Sequence, residues 1–312
     1  MLVPLKGQCR VAFEVGIQAQ WVASVVRPLA AEVQVANPGR IDWLFKDGRK
    51  NDQIDARKLS TLLHLNELPL VHLPRVEVSL WRSLINSRRT EVRRRTMVKN
   101  QLRAILRAAM LRCPHKGLWT RRGLEWLTSL QFDEIRQKMV RRLLRELAFL
   151  KAAIADLEAD LDQIAEKRPA AAQLQTIPGI GPRCAEAVVA FADDIRRFGR
   201  GRQFASYFGM TPRQDASGRV DRHGHISKRG PSVVRWVLIE AAHQVTRRCR
   251  EVHAFCDRIW QGKRGRYKQA IVAAGRKLLT IMVAMLRDGT VFDPERLIHP
   301  GRLIRPPAAP PA

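Results

Sequence analysis

Residues Cys9–Pro38 read CRVAFEVGIQAQWVASVVRPLAAEVQVANP, and the order of elements in this stretch decides the fold. CRVAFEVG is a short apolar run that ends at Glu14 and Gly16, the composition of a strand. QAQWVASVVRPLA places Trp21, Val22, Val25, Val26 and Leu29 at helical spacing, which predicts one buried stripe. EVQVANP is a second strand, stopped by Asn37-Pro38. Further on, DQIDARKLSTLLHL is a helix with Ile54, Leu59, Leu62 and Leu63 on its inner side. A strand–helix–strand–helix order implies parallel strands in an α/β layer. Two strands do not make an independently stable sheet, so further strands are expected on the N-terminal side of Glu14.

The balance of charge bounds the partner. The chain of 312 residues has 56 Lys+Arg against 29 Asp+Glu, a net charge of +27. A surface this positive repels itself unless a polyanion neutralises it, and nucleic acid is the expected one. A hydrophobic content of 46% leaves room for a core and excludes wholesale disorder. No uninterrupted run of about 18 apolar residues is present, and MLVPLKGQCR has no signal-peptide core, so no membrane role is expected and the cytoplasm is the expected location. The five cysteines (Cys9, Cys113, Cys184, Cys249, Cys256) form no CxxC pair and read as reduced thiols. Cys113 with His115 is half a zinc site at most.

Residues 76–168 change character. Between Arg82 and Arg112 ten Arg/Lys stand against one acid, Glu91, while Leu84, Ile85, Val92, Val98, Leu102, Ile105 and Ala109 keep an apolar stripe. Arg93, Arg94 and Arg95 form the densest basic run on this helix. After a break near CPHKG, Val140, Leu143, Leu147, Leu150, Ile154, Leu157, Leu161 and Ile164 alternate three- and four-residue steps, the seam of a coiled coil. Its partner is the basic helix of the same chain, a second subunit, or both. From Pro169 to about residue 290 the pattern is helical with one polar loop, PRQDASGRVDRHGHISKRGPS. The apolar spacing of SVVRWVLIEAAHQVTRR and YKQAIVAAGRKLLTIMVAMLRDG says core, and the end from Pro294 reads as a disordered tail.

Three sets of side chains invite chemistry. Asp52 and Asp55, at i and i+3, share one helical face within reach of a common cation, or else partner the helix N-terminus as solvated acids. Glu14 stands at the carboxyl end of the preceding strand, where sites form in α/β sheets. Three acids converging in so basic a chain need a cation between them, and Mg²⁺ held with substrate phosphate oxygens is the natural candidate. TIPGIGPRCAEAVVAF has the form of a helix-hairpin-helix, in which Gly179 and Gly181 let backbone N–H groups grip a phosphate; a plain helix–helix turn is the alternative. Arg196, Arg197, Arg200 and Arg202 follow it. Finally, Ser217 lies among Arg213, Arg219, Arg222, Lys228 and Arg229, with His223 and His225 as phosphate contacts. A lone serine in a polar loop ordinarily hydrogen-bonds a turn, but these cations suit an alkoxide and a phosphoryl oxyanion.

FEVG, QWVASVVRPLAAEVQVANP and KNDQIDARKL resemble the RNase H/RuvC-like domain of the DEDD transposases of the bacterial insertion-sequence one-ten family, most nearly its eleven-eleven subgroup. Gly-x-x-Pro, Ser-Gly and Gly-x-Ile-Ser-Lys-x-Gly, from Gly209 to Gly230, resemble that family's second catalytic domain. The resemblance implies an α/β plus α chain: a partial RNase H/RuvC-like domain over 1–72, a basic helical and coiled-coil region over 76–168, a mainly helical C-terminal transposase domain with a helix-hairpin-helix over 170–293, and a tail over 294–312. It places Glu14, Asp52 and Asp55 as the second, third and fourth acids. The first is expected on a strand before Met1, so the chain is expected to be N-terminally truncated. Ser217 takes the place of the serine that attacks the scissile phosphate, with Ala216 where relatives often have another serine. Mg²⁺, element-end and target DNA, a structured guide RNA and a homo-oligomer (dimer or tetramer) with a composite site are the implied companions. A degenerate DNA/RNA-binding remnant and a RuvC-like junction nuclease are the alternatives.

Overall fold

A computed structural model describes residues 6–41, 51–217 and 220–295, with the backbone alone at positions 40, 215–217 and 220–223. Arg219 and residues 296–312 of the expected tail lie outside the described residues. The chain divides into two units, Met1–Ser79 and Leu80–Ala312.

In the first unit β1 (Arg10–Glu14) pairs in parallel with β2 (Glu32–Ala36), and α1 (Ala19–Val26) connects them. The register runs from Arg10↔Glu32 to Glu14↔Ala36. Backbone bonds from Asn37 N–H to Pro69 O and from Val71 N–H to Val35 O, each 2.8 Å, add a short antiparallel edge to β2. α2 (Asp52–His64) starts at Asn51, whose side chain accepts from the Gln53 N–H at 2.9 Å, an ordinary N-cap. Its inner residues Leu59, Leu62 and Leu63 pack with Ala36, Ile41 and Leu68 into a small core. The expected element order holds, whereas the stripe on α1 does not. Ala19 and Ala23 are the buried positions, while Trp21 is 66% and Val25 46% exposed. Val22, Val26 and Leu29 are half-buried, so the stripe is only partly covered by the two strands among the described residues of this unit.

The second unit is helical around one hairpin. α3 (Val76–Ala108) and α5 (Glu134–Glu166) are long helices joined through α4 (Arg121–Ser129). Val98, Leu102 and Leu106 of α3 pack with Val140, Leu147 and Leu150 of α5 and Leu127 of α4. Over this half the heptad seam packs on the basic helix of its own chain, one of the two partners expected for it. The opposite ends of the pair, Trp81, Ile85 and Leu161, join the main core. That core is built by α6 (Pro169–Gln175), α7 (Pro182–Ala192), α8 (Gly201–Tyr207), α9 (Ser232–Arg248), α10 (Arg250–Trp260) and α11 (Tyr267–Asp288). By length and composition the segment Arg264–Asp288 is apolar enough to cross a membrane, although Arg276 and Lys277 interrupt its apolar run. Its Ala274, Leu278, Leu279 and Met282 are fully buried in the protein core instead.

The polar loop is in fact a β-hairpin: β3 (Pro212–Ser217) and β4 (Val220–Ile226) pair antiparallel, from Pro212↔Ile226 to Ser217↔Val220. Its strands lack the alternating apolar pattern because the hairpin projects from a helical body rather than covering a core. The legible signal is a two-residue connection beginning with Gly218.

Candidate nucleic-acid interface

The root of the hairpin is pinned to the helices. Gly209 and Gly230 have φ of +69° and +75°, the left-handed region that favours glycine. A Cβ on Gly209 would lie 2.1 Å from Arg229 O, and one on Gly230 would lie 2.1 Å from Tyr207 O. Arg235 of α9 donates through Nη1 to Phe208 O, Arg229 O and Gly230 O at 3.1, 2.8 and 3.0 Å. Burial and the nearby Arg89 lower the Arg235 pKa. Sequence reading missed this guanidinium because it sits in what reads as a core helix. Ser217 is the last residue of β3, opposite Val220, and its side chain lies outside the described residues, as do those of Arg222 and His223. Arg213, Lys228 and Arg229 are exposed along the hairpin and its exit, with Lys228 at φ +55°.

The other predicted cations divide by role. Arg196 is exposed and held by Asp194, Nε to Oδ1 at 3.0 Å. Arg197 donates to Ala192 O at 3.1 Å and lies 5.0 and 5.2 Å from the Phe198 and Tyr207 ring centres, a structural placement. On α3, Arg82 donates to Ala190 O and Phe191 O at the end of α7, and Arg89 to Ser232 Oγ. Arg88 binds Glu158 at 2.7 Å. These three hold the fold together. Beyond them, Arg93 is exposed, Arg95 is half-buried, and Arg94 pairs with Glu91 at 3.2 Å.

The Gly-Ile-Gly turn connects α6 and α7. Gly179 has φ +99°, and a Cβ there would meet Val245 N at 2.7 Å, so this glycine serves close packing on α9. Gly181, the N-cap of α7, has open space where a Cβ would lie. Beside it lies a cleft of about 460 Å³ whose lining includes Arg88, Arg183 and Arg248. Beneath the turn, Glu186 is 1% exposed, 3.3 Å from Arg183 Nε, with its Oε2 unpartnered. Burial pushes its carboxyl up to about 7 against the pull of Arg183 and Arg88. Arg183 also pairs with Asp162.

In the first unit, Glu14 ends β1 and is exposed, Asp52 opens α2 and is exposed, and Asp55 is half-buried in the same turn. Among the described residues no three His, Cys, Asp or Glu side chains are gathered to hold a metal ion. The donor chemistry, carboxylate oxygen only, suits Mg²⁺, which binds through one or two carboxylates and substrate phosphates. The five cysteines are free, and Cys184, Cys249 and Cys256 are buried.

The description of the transposase IS116/IS110/IS902 family matches residues 171–257, which span the turn, the hairpin and α9. A "Probable family 20 transposase" of Pseudomonas aeruginosa is 32% identical over 292 residues, 92% of this chain and 86% of that protein. The transposase for insertion sequence element IS1111A of Coxiella burnetii is 28% identical over 246 residues, 78% of this chain and 67% of its own length. The transposase for IS1328 of Yersinia enterocolitica is 27% identical over 293 residues, covering 91% and 86%.

Proposed function

The chain belongs to the IS116/IS110/IS902 family of transposases, and from that premise we propose that it cuts and rejoins DNA at the ends of a bacterial insertion sequence. The observation that carries the reading is the family match over 171–257, which encloses a hairpin whose first strand ends at Ser217 and which bears Arg213, with Lys228 and Arg229 at its exit. In the proposed reaction the Ser217 oxygen attacks the scissile phosphorus. Its proton leaves to water or base, the P–O bond to the leaving deoxyribose oxygen breaks, and DNA is held as a phosphoserine ester. Arg213, Lys228 and Arg229, with Arg219, offset the charge on the phosphoryl oxygens.

The finer architecture belongs to the same proposal: the first unit as part of an RNase H/RuvC-like domain, and α6–turn–α7 as a helix-hairpin-helix. Glu14, Asp52 and Asp55 are the oxygens available to Mg²⁺, which when bound supplies charge compensation at the phosphodiester. Gly181 N–H and the cleft with Arg183 and Arg248 receive backbone phosphate, together with Arg196 and the exposed side of Arg93 and Arg95. A guide RNA and assembly of more than one copy complete this reading. Work on DNA puts the chain in the cytoplasm.

One observation favours a second reading, a DNA/RNA-binding remnant without catalysis: the acids are not gathered among the described residues. Incubation with a plasmid carrying both element ends, Mg²⁺ and the element's RNA, followed by a denaturing gel, separates the two. Transposase chemistry gives a covalent protein–DNA band that Ser217→Ala abolishes and that Asp52→Asn with Asp55→Asn lowers by at least about 10²-fold. Binding with no covalent band from the unaltered chain supports the remnant, and a band that survives Ser217→Ala ends the serine assignment.

A further inference from the structure

We propose that the cleft at the root of the hairpin holds one unstacked nucleotide of a single DNA strand. This rests on the reading that the chain works on DNA, and it names where the strand lies. A cavity of about 530 Å³ opens between α8, the start of β3, α10 and α11. Arg202, Arg276 and Lys277 contribute to its lining along with Gln214 and Phe255, and no acid does. Among the described residues none of the three cations pairs with a carboxylate. The volume falls within the range of about 300–1,000 Å³ for a small-ligand pocket and is too small for a duplex.

Two of these cations stand on one helix, Arg276 exposed and Lys277 half-buried. Between Lys268 and Arg287, α11 is without charge except at Arg276 and Lys277, and its other faces fill the core. Gly201, where a Cβ would come 2.7 Å from Thr280 Cγ2, lets α8 begin against α11, and the next residue is Arg202. Cations on two converging helices thus border one cavity. Phe255, half-buried, supplies the aromatic surface on which any base stacks, with the Arg258 guanidinium 5.8 Å from its ring centre. The hairpin supplies direction. Gln214 lies three residues before Ser217, about 10 Å at the rise of a strand, so a nucleotide seated here belongs to a strand led toward the hairpin tip.

The test is fluorescence anisotropy of the full chain with a labelled oligo-dT, a duplex of the same length, and an oligo-rU. Phe255→Leu keeps the volume but removes the stacking face and is expected to weaken oligo-dT binding about tenfold. Arg276→Gln with Lys277→Gln, which leave the apolar packing intact, are expected to weaken it at least about tenfold and to reduce the salt slope by one to two (about one per lost phosphate contact). Duplex affinity should change less than about twofold in each. Wild-type oligo-dT affinity in both variants, with unchanged melting, overturns the proposal. An equal loss on duplex also overturns it, because the cations then serve a general surface, and a loss confined to oligo-rU reassigns the cleft to RNA. Failure of the unaltered chain to bind any DNA sinks the transposase reading itself, a result distinct from these.

Discussion

Glu186 shows how far a single side chain departs from its sequence appearance. It is the one acid in PRCAEAVVAF, and it is buried near Arg183, Arg88, Asp162 and Glu158. Its folded carboxyl is raised to about 7, so between the ordinary value of 4.5 and 7 the native protein binds more protons than the unfolded chain. The stability that comes from keeping it neutral is complete below about pH 4.5 and is lost as the pH rises through about 7. We expect Glu186→Gln to gain on the order of 2 kcal/mol over the parent at pH 8 and little at pH 4.5, measured by urea denaturation at both values. A gain that does not depend on pH would refute the assignment. At this scale the sequence was informative where covalent geometry dictates the residue and poor where burial decides. Gly179 and Gly181 were legible as turn residues, but only packing tells them apart, one touching α9 and the other facing open space. Likewise Arg197, Arg88 and Arg82 look like surface cations in a list and prove to be tied to ring faces, an acid and the end of a helix.

Among elements, helices with a long period were the most legible. Of the eight residues the α5 seam marked, Val140, Leu147, Leu150, Ile154 and Leu161 are buried and Leu143, Leu157 and Ile164 half-buried. The seam also distinguishes neighbours: Leu150 is fully buried, whereas Phe149 is 65% exposed. Leu150→Ala is expected to cost about 3 kcal/mol and Phe149→Ala less than about 0.5 kcal/mol in chemical denaturation. Equal costs would mean the register is wrong. The stripe on α1 failed because helical spacing names a face without saying how wide the sheet beneath it is. The β-hairpin was missed because strand recognition leans on apolar alternation, which strands that do not cover a core lack.

For the whole molecule, the charge of +27 was the plainest message, and it carries a measurable consequence. If a surface of this kind neutralises six or more phosphates, duplex affinity should fall by about 10³ or more between 50 and 200 mM salt. Arg93→Gln with Arg95→Gln should flatten that dependence by about two in log–log slope at little cost in stability, read by anisotropy across a salt series. An unchanged slope would remove α3 from the contact surface. The acidic set and the serine loop were legible as residues, and the resemblance assigned their roles; periodicity and charge alone favoured a helix-dipole pair and a turn serine.

The anchoring of the hairpin has one more implication. Both strands are fixed at their base by Gly209, Gly230 and the guanidinium of Arg235, so the height at which the tip stands is governed by strand length and little else. Two extra residues in each strand would lift the tip by about 7 Å and leave every side chain on its original face, while one extra residue in each would invert the faces. Relatives can therefore differ in reach through matched, even-numbered insertions on β3 and β4, with the helical body beneath left as it is.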